Sequence, residues 1–198
     1  DHVSSLLFCP TRLAAFNLAQ EGIRDGVFVV GDVMTDVLRK MTRKARAALA
    51  KMDVPKDYYF ATVHRQENTD DKSRLLGILE GLGSLPHPVV LPLHPRTRSR
   101  LKAFRLRVPA NVTILDPVSY TGSLGLIIGS RAVLTDSGGL QKEAFLLGKP
   151  CITLRDTTEW METLSGGANR LVGPKARTIL LAVRAIERKP PKVRPGRI

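Results

Sequence analysis

Short runs of β-forming residues alternate along the chain with longer stretches whose apolar positions recur every three or four residues. The runs at 27–30, 58–63, 89–93, 112–115, 131–135 and 151–154 predict strands, and a shorter one is expected near 170–172. Helical spacing predicts helices at 12–20, with Thr11 as cap, and at 33–52, with Val37, Leu38, Met41 and Leu49 on the apolar side. Further helices are expected at 73–85, at 97–104, at 123–129 despite its glycines, after the turn at 137–139, and at 178–187. Residues 1–8 read as the tail of an element, 64–71 as a polar loop, and 189–198, rich in proline and basic residues, as a mobile tail.

Strictly alternating strands and helices argue for a parallel sheet covered on both faces, a doubly wound α/β domain from about residue 58 to 173. In such folds ligands sit at the carboxyl ends of the strands. Polar residues cluster after four of the predicted strands: His64-Arg65, His94-Pro95-Arg96, Ser137-Gly138-Gly139 and Arg155 through Glu159. The Ser-Gly-Gly turn opens a helix that Gly148 and Pro150 stop. Unpaired N–H groups there make an anion site, and two glycines let a phosphate come close to the backbone. Glu143, one helical turn further in, is placed to accept hydrogen bonds from hydroxyls beside that phosphate. His64 faces the turn from a neighbouring strand exit.

The formal charge of the 198 residues is +13, with basic runs at 39–46, 96–107 and 184–197. Such an excess suggests an anionic partner: nucleic acid, an acidic membrane surface or a phosphorylated small molecule. Aromatics make up 5% of the chain and do not alternate with basic residues, so a base-stacking platform is absent and no specific nucleic-acid partner is expected. No apolar run approaches the roughly 20 residues that span a membrane, and residues 1–5 do not resemble a signal peptide, so a cytoplasmic location is expected. Cys9 and Cys151 lie far apart in apolar sequence and read as buried free thiols. No Cys or His pair has ligand spacing, so no metal site is expected.

The segments Thr62-Val-His-Arg-Gln-Glu-Asn68, Leu93-His-Pro-Arg96, Leu134-Thr-Asp-Ser-Gly-Gly-Leu-Gln-Lys-Glu143, Gly148-Lys-Pro150 and Arg155-Asp-Thr-Thr-Glu159 occur in this order. Together they resemble the non-hydrolysing UDP-N-acetylglucosamine 2-epimerases. The resemblance implies the second, Rossmann-like half of a glycosyltransferase-B-type two-domain fold. It assigns residues 1–54 to the end of a first domain and a crossover helix, 55–188 to a UDP-binding domain and 189–198 to a basic tail. It implies interconversion of UDP-N-acetylglucosamine and UDP-N-acetylmannosamine by elimination and re-addition of UDP, with no cofactor or metal. For the full-length protein it implies a homodimer. Carried over by motif, His64 is the catalytic candidate. His64, Ser137, Gly138 and Gly139 would hold the diphosphate, Glu143 the ribose hydroxyls, and Arg155 would support the site. Arg65, Glu67 and His94 resemble positions near a regulatory UDP-sugar site.

Departures from the pattern keep other classes open. That family's first domain starts some 150 residues earlier, with the Asp and Glu residues assigned as acid and base. Trp160 stands where an Arg is common, and Lys142 where an acid is frequent, a change expected to lie on the surface. A UDP-sugar-binding domain without turnover and a glycosyltransferase of the same fold are the alternatives.

Overall fold

The computed structural model describes residues 1–193. Two units separate by their internal packing, one over residues 1–41 and one from Thr42 onward.

In the first unit, β1 (Leu7–Cys9) pairs in parallel with β2 (Val27–Val29), with α1 (Arg12–Gln20) between them. Thr11 caps α1, its hydroxyl accepting from the Ala14 amide at 3.0 Å. The element whose tail is expected at residues 1–8 is a strand, Leu7–Cys9, too short for its alternation to be read without its partner. The long helix α2 (Val33–Leu49) begins in this unit and continues into the next.

The second unit carries six strands: β3 (Tyr59–Thr62), β4 (Val89–Pro92), β5 (Val112–Leu115), β6 (Val133–Thr135), β7 (Cys151–Thr153) and β8 (Asn169–Leu171). All neighbours are parallel, in the order β5-β4-β3-β6-β7-β8. The chain winds outward from β3 to one edge, returns, and winds from β6 to the other. The direction of winding reverses between β3 and β6, and there the following loops diverge to opposite faces and leave a crevice.

One face of the sheet is covered by α4 (Lys72–Gly83), α5 (Pro95–Ala103) and α8 (Ala176–Arg188). Tyr59, Ala61, Leu91, Leu134 and Ile152 pack there against Leu75, Ile78, Leu82, Leu101, Ile179 and Val183. Each fully buried Leu or Ile contributes about 1.5–3 kcal/mol relative to exposure. Gly77 and Gly81, one turn apart, let α4 approach closely: added Cβ atoms would lie 2.6 Å from the Pro174 carbonyl oxygen and 2.7 Å from Ile179 Cδ1. The second face carries α6 (Tyr120–Gly129) and α7 (Gly138–Leu146). Here the buried Tyr58 hydroxyl donates to the Leu126 carbonyl at 2.9 Å.

Four helices start earlier than spacing predicts: α8 begins at Ala176 without a side-chain cap, and the other three have polar caps that apolar periodicity ignores. Asp71 caps α4, Ser119 caps α6, and His94 caps α5 with Pro95 in its first turn. Residues 64–71, expected to be loop throughout, contain a single helical turn, α3 (Gln66–Thr69). Its Asn68 and Thr69 are fully buried by contacts that sequence spacing does not carry. A 3₁₀ segment at Met161–Gly167 was likewise not expected. Of the tail at 189–198, residues 194–198 lie outside the described residues.

Candidate active site

The strand exits on either side of the reversal meet. β3 runs out into Val63, His64 and Arg65, and β6 into Asp136 and the Ser137 turn. Ser137 has extended backbone angles and N-caps α7, its hydroxyl accepting from the Leu140 amide at 3.5 Å. The Ser137 amide itself donates to Thr135 Oγ1 at 2.9 Å, which sets the turn on the strand end. Neither Gly138 nor Gly139 has positive φ, so backbone conformation does not require glycine at either position. A Cβ on buried Gly138 would meet Glu159 Oε2 at 3.3 Å, Trp160 Nε1 at 3.4 Å and Arg65 Nη2 at 3.7 Å. At exposed Gly139 only Ser137 Oγ, at 3.9 Å, lies near.

Asp136 ties these exits together. Its carboxylate is fully buried and accepts from the His64 amide (3.0 and 3.1 Å), the Arg65 amide (2.9 Å) and Asn68 Nδ2 (3.1 Å). Asn68 Nδ2 also donates to the Leu154 carbonyl at 2.9 Å, and its Oδ1 accepts from Arg74 Nε at 3.1 Å. Three strand ends, β3, β6 and β7, are thus clamped through one Asp and one Asn. Sequence reading gave Asp136 to the turn and passed over Asn68. The signal available was an Asp immediately before the Ser-Gly-Gly turn, where a strand end is buried on both faces.

His64 stands half-buried with Nδ1 3.4 Å from Asp136 Oδ1. Burial holds its pKa below the usual histidine value, against the pull of Asp136 and with the help of nearby His94 and Arg65. At neutral pH it is therefore an uncharged imidazole, able to accept a proton and not a fixed cation. His94 packs on it with ring centroids 5.5 Å apart. The two rings line a cavity of about 170 Å³ with Phe60, Pro117, Val118 and Leu140.

Glu143 lies on α7 at 6% exposure. Burial pushes its pKa up to about 7, opposed by a hydrogen bond from the Tyr120 hydroxyl. Tyr120, at the start of α6, is a contact the sequence did not announce.

Arg155 is buried, and its guanidinium is shared by two carboxylates. Nε donates to Glu67 at 2.8 Å and Nη1 to both oxygens of Glu159 at 2.9 and 3.0 Å. Its contact with Arg155 holds the Glu159 carboxyl below the usual carboxylate range. The structure thus brings the two expected groups into one cluster: Arg65 beside Gly138, Glu67 on Arg155, His94 on His64. Lys142 is not a surface change. It is 2% exposed, and its Nζ sits 3.8 Å from the centre of the Trp160 ring, so the two departures from the family pattern touch each other. Among the described residues no group of three His, Cys, Asp or Glu side chains could hold a metal, and Cys9 and Cys151 are free and buried. No helix of the described residues is long and apolar enough to cross a membrane.

The profile of the UDP-N-acetylglucosamine 2-epimerase family matches residues 1–195. The chain belongs to that family. Among its relatives, a Pseudomonas aeruginosa UDP-2,3-diacetamido-2,3-dideoxy-D-glucuronate 2-epimerase is 48% identical over 181 residues, covering 87% of this chain and 50% of the relative. A Methanocaldococcus jannaschii UDP-N-acetylglucosamine 2-epimerase is 40% identical over 198 residues, covering 92% and 54%. The structure of the Methanocaldococcus jannaschii UDP-GlcNAc 2-epimerase in complex with UDP-GlcNAc and UDP superposes with a TM-score of 0.84 at 38% identity, over 100% of this chain and 57% of that one. The chain spans about half the length of the curated relatives it matches. The parallel, helix-covered sheet is the Rossmann-like half expected of this family.

Proposed function

We propose that this chain supplies the UDP-binding half of a non-hydrolysing epimerase that inverts carbon 2 of a UDP-2-acetamido sugar. The observation that carries the reading is that Asp136, the residue before the Ser137-Gly138 helix start, holds the His64-Arg65 strand exit beside it at the sheet's reversal point, with Arg65 3.7 Å from where a Gly138 Cβ would sit. In this reading the diphosphate lies at the first turn of α7, facing its free amides and Arg65. Glu143 accepts from the ribose hydroxyls, and His64 contacts the phosphate and moves a proton at the leaving oxygen. A base of the family's first domain takes the carbon-2 proton, the bond from carbon 1 to the UDP oxygen breaks with its electron pair leaving on UDP, and a 2-acetamidoglucal is left. UDP then adds back as the proton returns to the opposite face. No metal or redox group takes part. Residues 1–54 would close a first domain, and 55–188 would form the UDP domain. The complete protein would be a cytoplasmic homodimer, checked by sedimentation.

UDP-N-acetylglucosamine is the substrate of the first reading. A second is favoured by the identity to the Pseudomonas aeruginosa relative, named for a diacetamido uronate. Calorimetric titration with UDP tests the common core: saturable binding is expected, and its loss in Gly138→Val. Proton NMR in D₂O with each UDP-sugar then separates the substrates. The 198-residue chain alone is expected to bind without exchanging the carbon-2 proton. Asp136, Glu67 and Glu159 are committed to other partners here, and one imidazole at the phosphate end cannot serve both faces of the sugar. Manno or other C2-inverted product from this chain would refute that assignment of groups.

A further inference from the structure

We propose that Asp136 is the positioning residue of His64: it fixes the imidazole with the proton on Nδ1 and presents bare Nε2 to the UDP-sugar. The inference rests on His64 facing the ligand, as proposed above, but its first test does not depend on ligand.

The geometry sets Asp136 apart from an ordinary turn residue. A turn aspartate caps its own loop; this one caps nothing on its own strand. Its carboxylate crosses from the end of β6 to the end of β3 and takes the amides of His64 and Arg65 and the side-chain amide of Asn68. Three N–H donors point at its oxygens, so the Asp136 carboxyl serves as an acceptor in this network. The groups facing the His64 ring are then few: Asp136 at Nδ1, His94 across the ring face, and Arg65 next along the chain. Arg65 offers only donors, and His94 Nδ1 already accepts from the Arg96 amide at 3.1 Å. Asp136 is therefore the acceptor placed for the imidazole N–H. At 3.4 Å the contact is longer than a full hydrogen bond, and it shortens as the ring gains positive charge. The carboxylate thereby favours the imidazolium at the moment His64 takes a proton. Burial of the ring keeps it neutral beforehand. The backbone bonds from Asp136 to the same histidine fix the strand exit, so one residue sets both the position and the tautomer.

The experiment is ¹⁵N NMR of the imidazoles in the intact chain, which has four histidines. Above neutral pH, His64 is expected to carry its proton on Nδ1. A dominant Nε2–H form in the unsubstituted protein overturns the proposal, whatever the behaviour of any variant. Asp136→Asn offers an N–H in place of an acceptor, so the Nδ1–H preference should vanish in the folded variant; retention of it would also overturn the proposal. A cycle with UDP follows. Asp136→Asn and His64→Ala are each expected to weaken UDP by about tenfold or more. The double variant should bind no worse than His64→Ala alone, because Asp136 acts through the imidazole. Additive losses would show that Asp136 supports the turn without acting through His64. If UDP does not bind the unsubstituted chain at all, the functional reading fails, and the tautomer measurement still decides the pair.

Discussion

Replacing Glu143 by Gln should make the unliganded protein more stable and its UDP complex weaker. The carboxyl is 6% exposed, and burial raises its pKa from 4.5 to about 7. Between those values the folded protein keeps a proton that the unfolded chain has released. Stability therefore falls as pH rises through this window, and the whole loss is present above about 7. The gap, at about 1.36 kcal/mol per pH unit, is worth about 3 kcal/mol. Gln occupies nearly the same volume, can still accept from Tyr120, and never ionises. At pH 8.5 the variant should gain about 3 kcal/mol in urea denaturation, or roughly 6–12 °C in melting temperature. At pH 4 both side chains are neutral and the difference should shrink towards zero. UDP affinity should move the other way, by about tenfold or more, because the ribose hydroxyls lose a charged acceptor. In the unsubstituted chain affinity should improve as pH rises through about 7. A Glu143→Gln variant no more stable than the parent at pH 8.5 would refute the reasoning, since the buried carboxyl would then carry no ionisation cost.

Other outcomes follow from the same contacts. Gly138→Val should abolish UDP binding in calorimetry, whereas Gly139→Ala, facing open space, should leave the unliganded fold within about 0.5 kcal/mol of the parent. UDP binding near pH 6.5 should take up protons in a Glu143→Gln background, because a phosphate raises the depressed pKa of His64; titration in buffers of different ionisation enthalpy measures the count. Lys142→Met and Trp160→Leu should show a coupling of about 1–2 kcal/mol in a denaturation cycle, the ammonium being buried against the indole; an additive cycle would mean the pair does not interact.

The fold was legible because its strands are short continuous apolar runs and its helices keep helical spacing, as in a sheet buried on both faces. Where reading stopped short, the reason is the same each time. Asp71, His94 and Ser119 start helices by side-chain bonds that periodicity does not register. Within the site, His64, Ser137 and Gly138 follow strands whose ends the apolar runs mark, and Glu143 lies on the helix that the Ser-Gly-Gly turn opens. What escaped were contacts between distant segments. Asn68 is one polar residue among many until three strand ends close on it. Lys142 looks exposed until α7 turns its side chain under Trp160. Arg155 is expected to support the site, and sequence spacing does not show that two carboxylates already share it.

That sharing bears on how the anion site opens to its ligand. A diphosphate at the first turn of α7 needs the space beside Gly138, and Glu159 Oε2 stands 3.3 Å from where a Cβ would sit there. Phosphate and carboxylate cannot occupy that space together without strong repulsion. If UDP occupies this turn as proposed, Glu159 has to turn outward, which would free one edge of Arg155 for the phosphate while Glu67 keeps the other. The exchange gives up a charge-assisted two-oxygen contact before the new one forms. The side chain of Glu159 is 54% exposed, so solvent screens the pair and the cost is modest. Glu159→Gln keeps the size and removes the charge, and should bind UDP more tightly, by about threefold to tenfold at low salt. Raising the salt should narrow the gap between variant and parent, because screening weakens the repulsion that the variant lacks. Equal or weaker UDP binding by Glu159→Gln at low salt would mean that the carboxylate holds Arg155 in its working position and does not compete with the ligand.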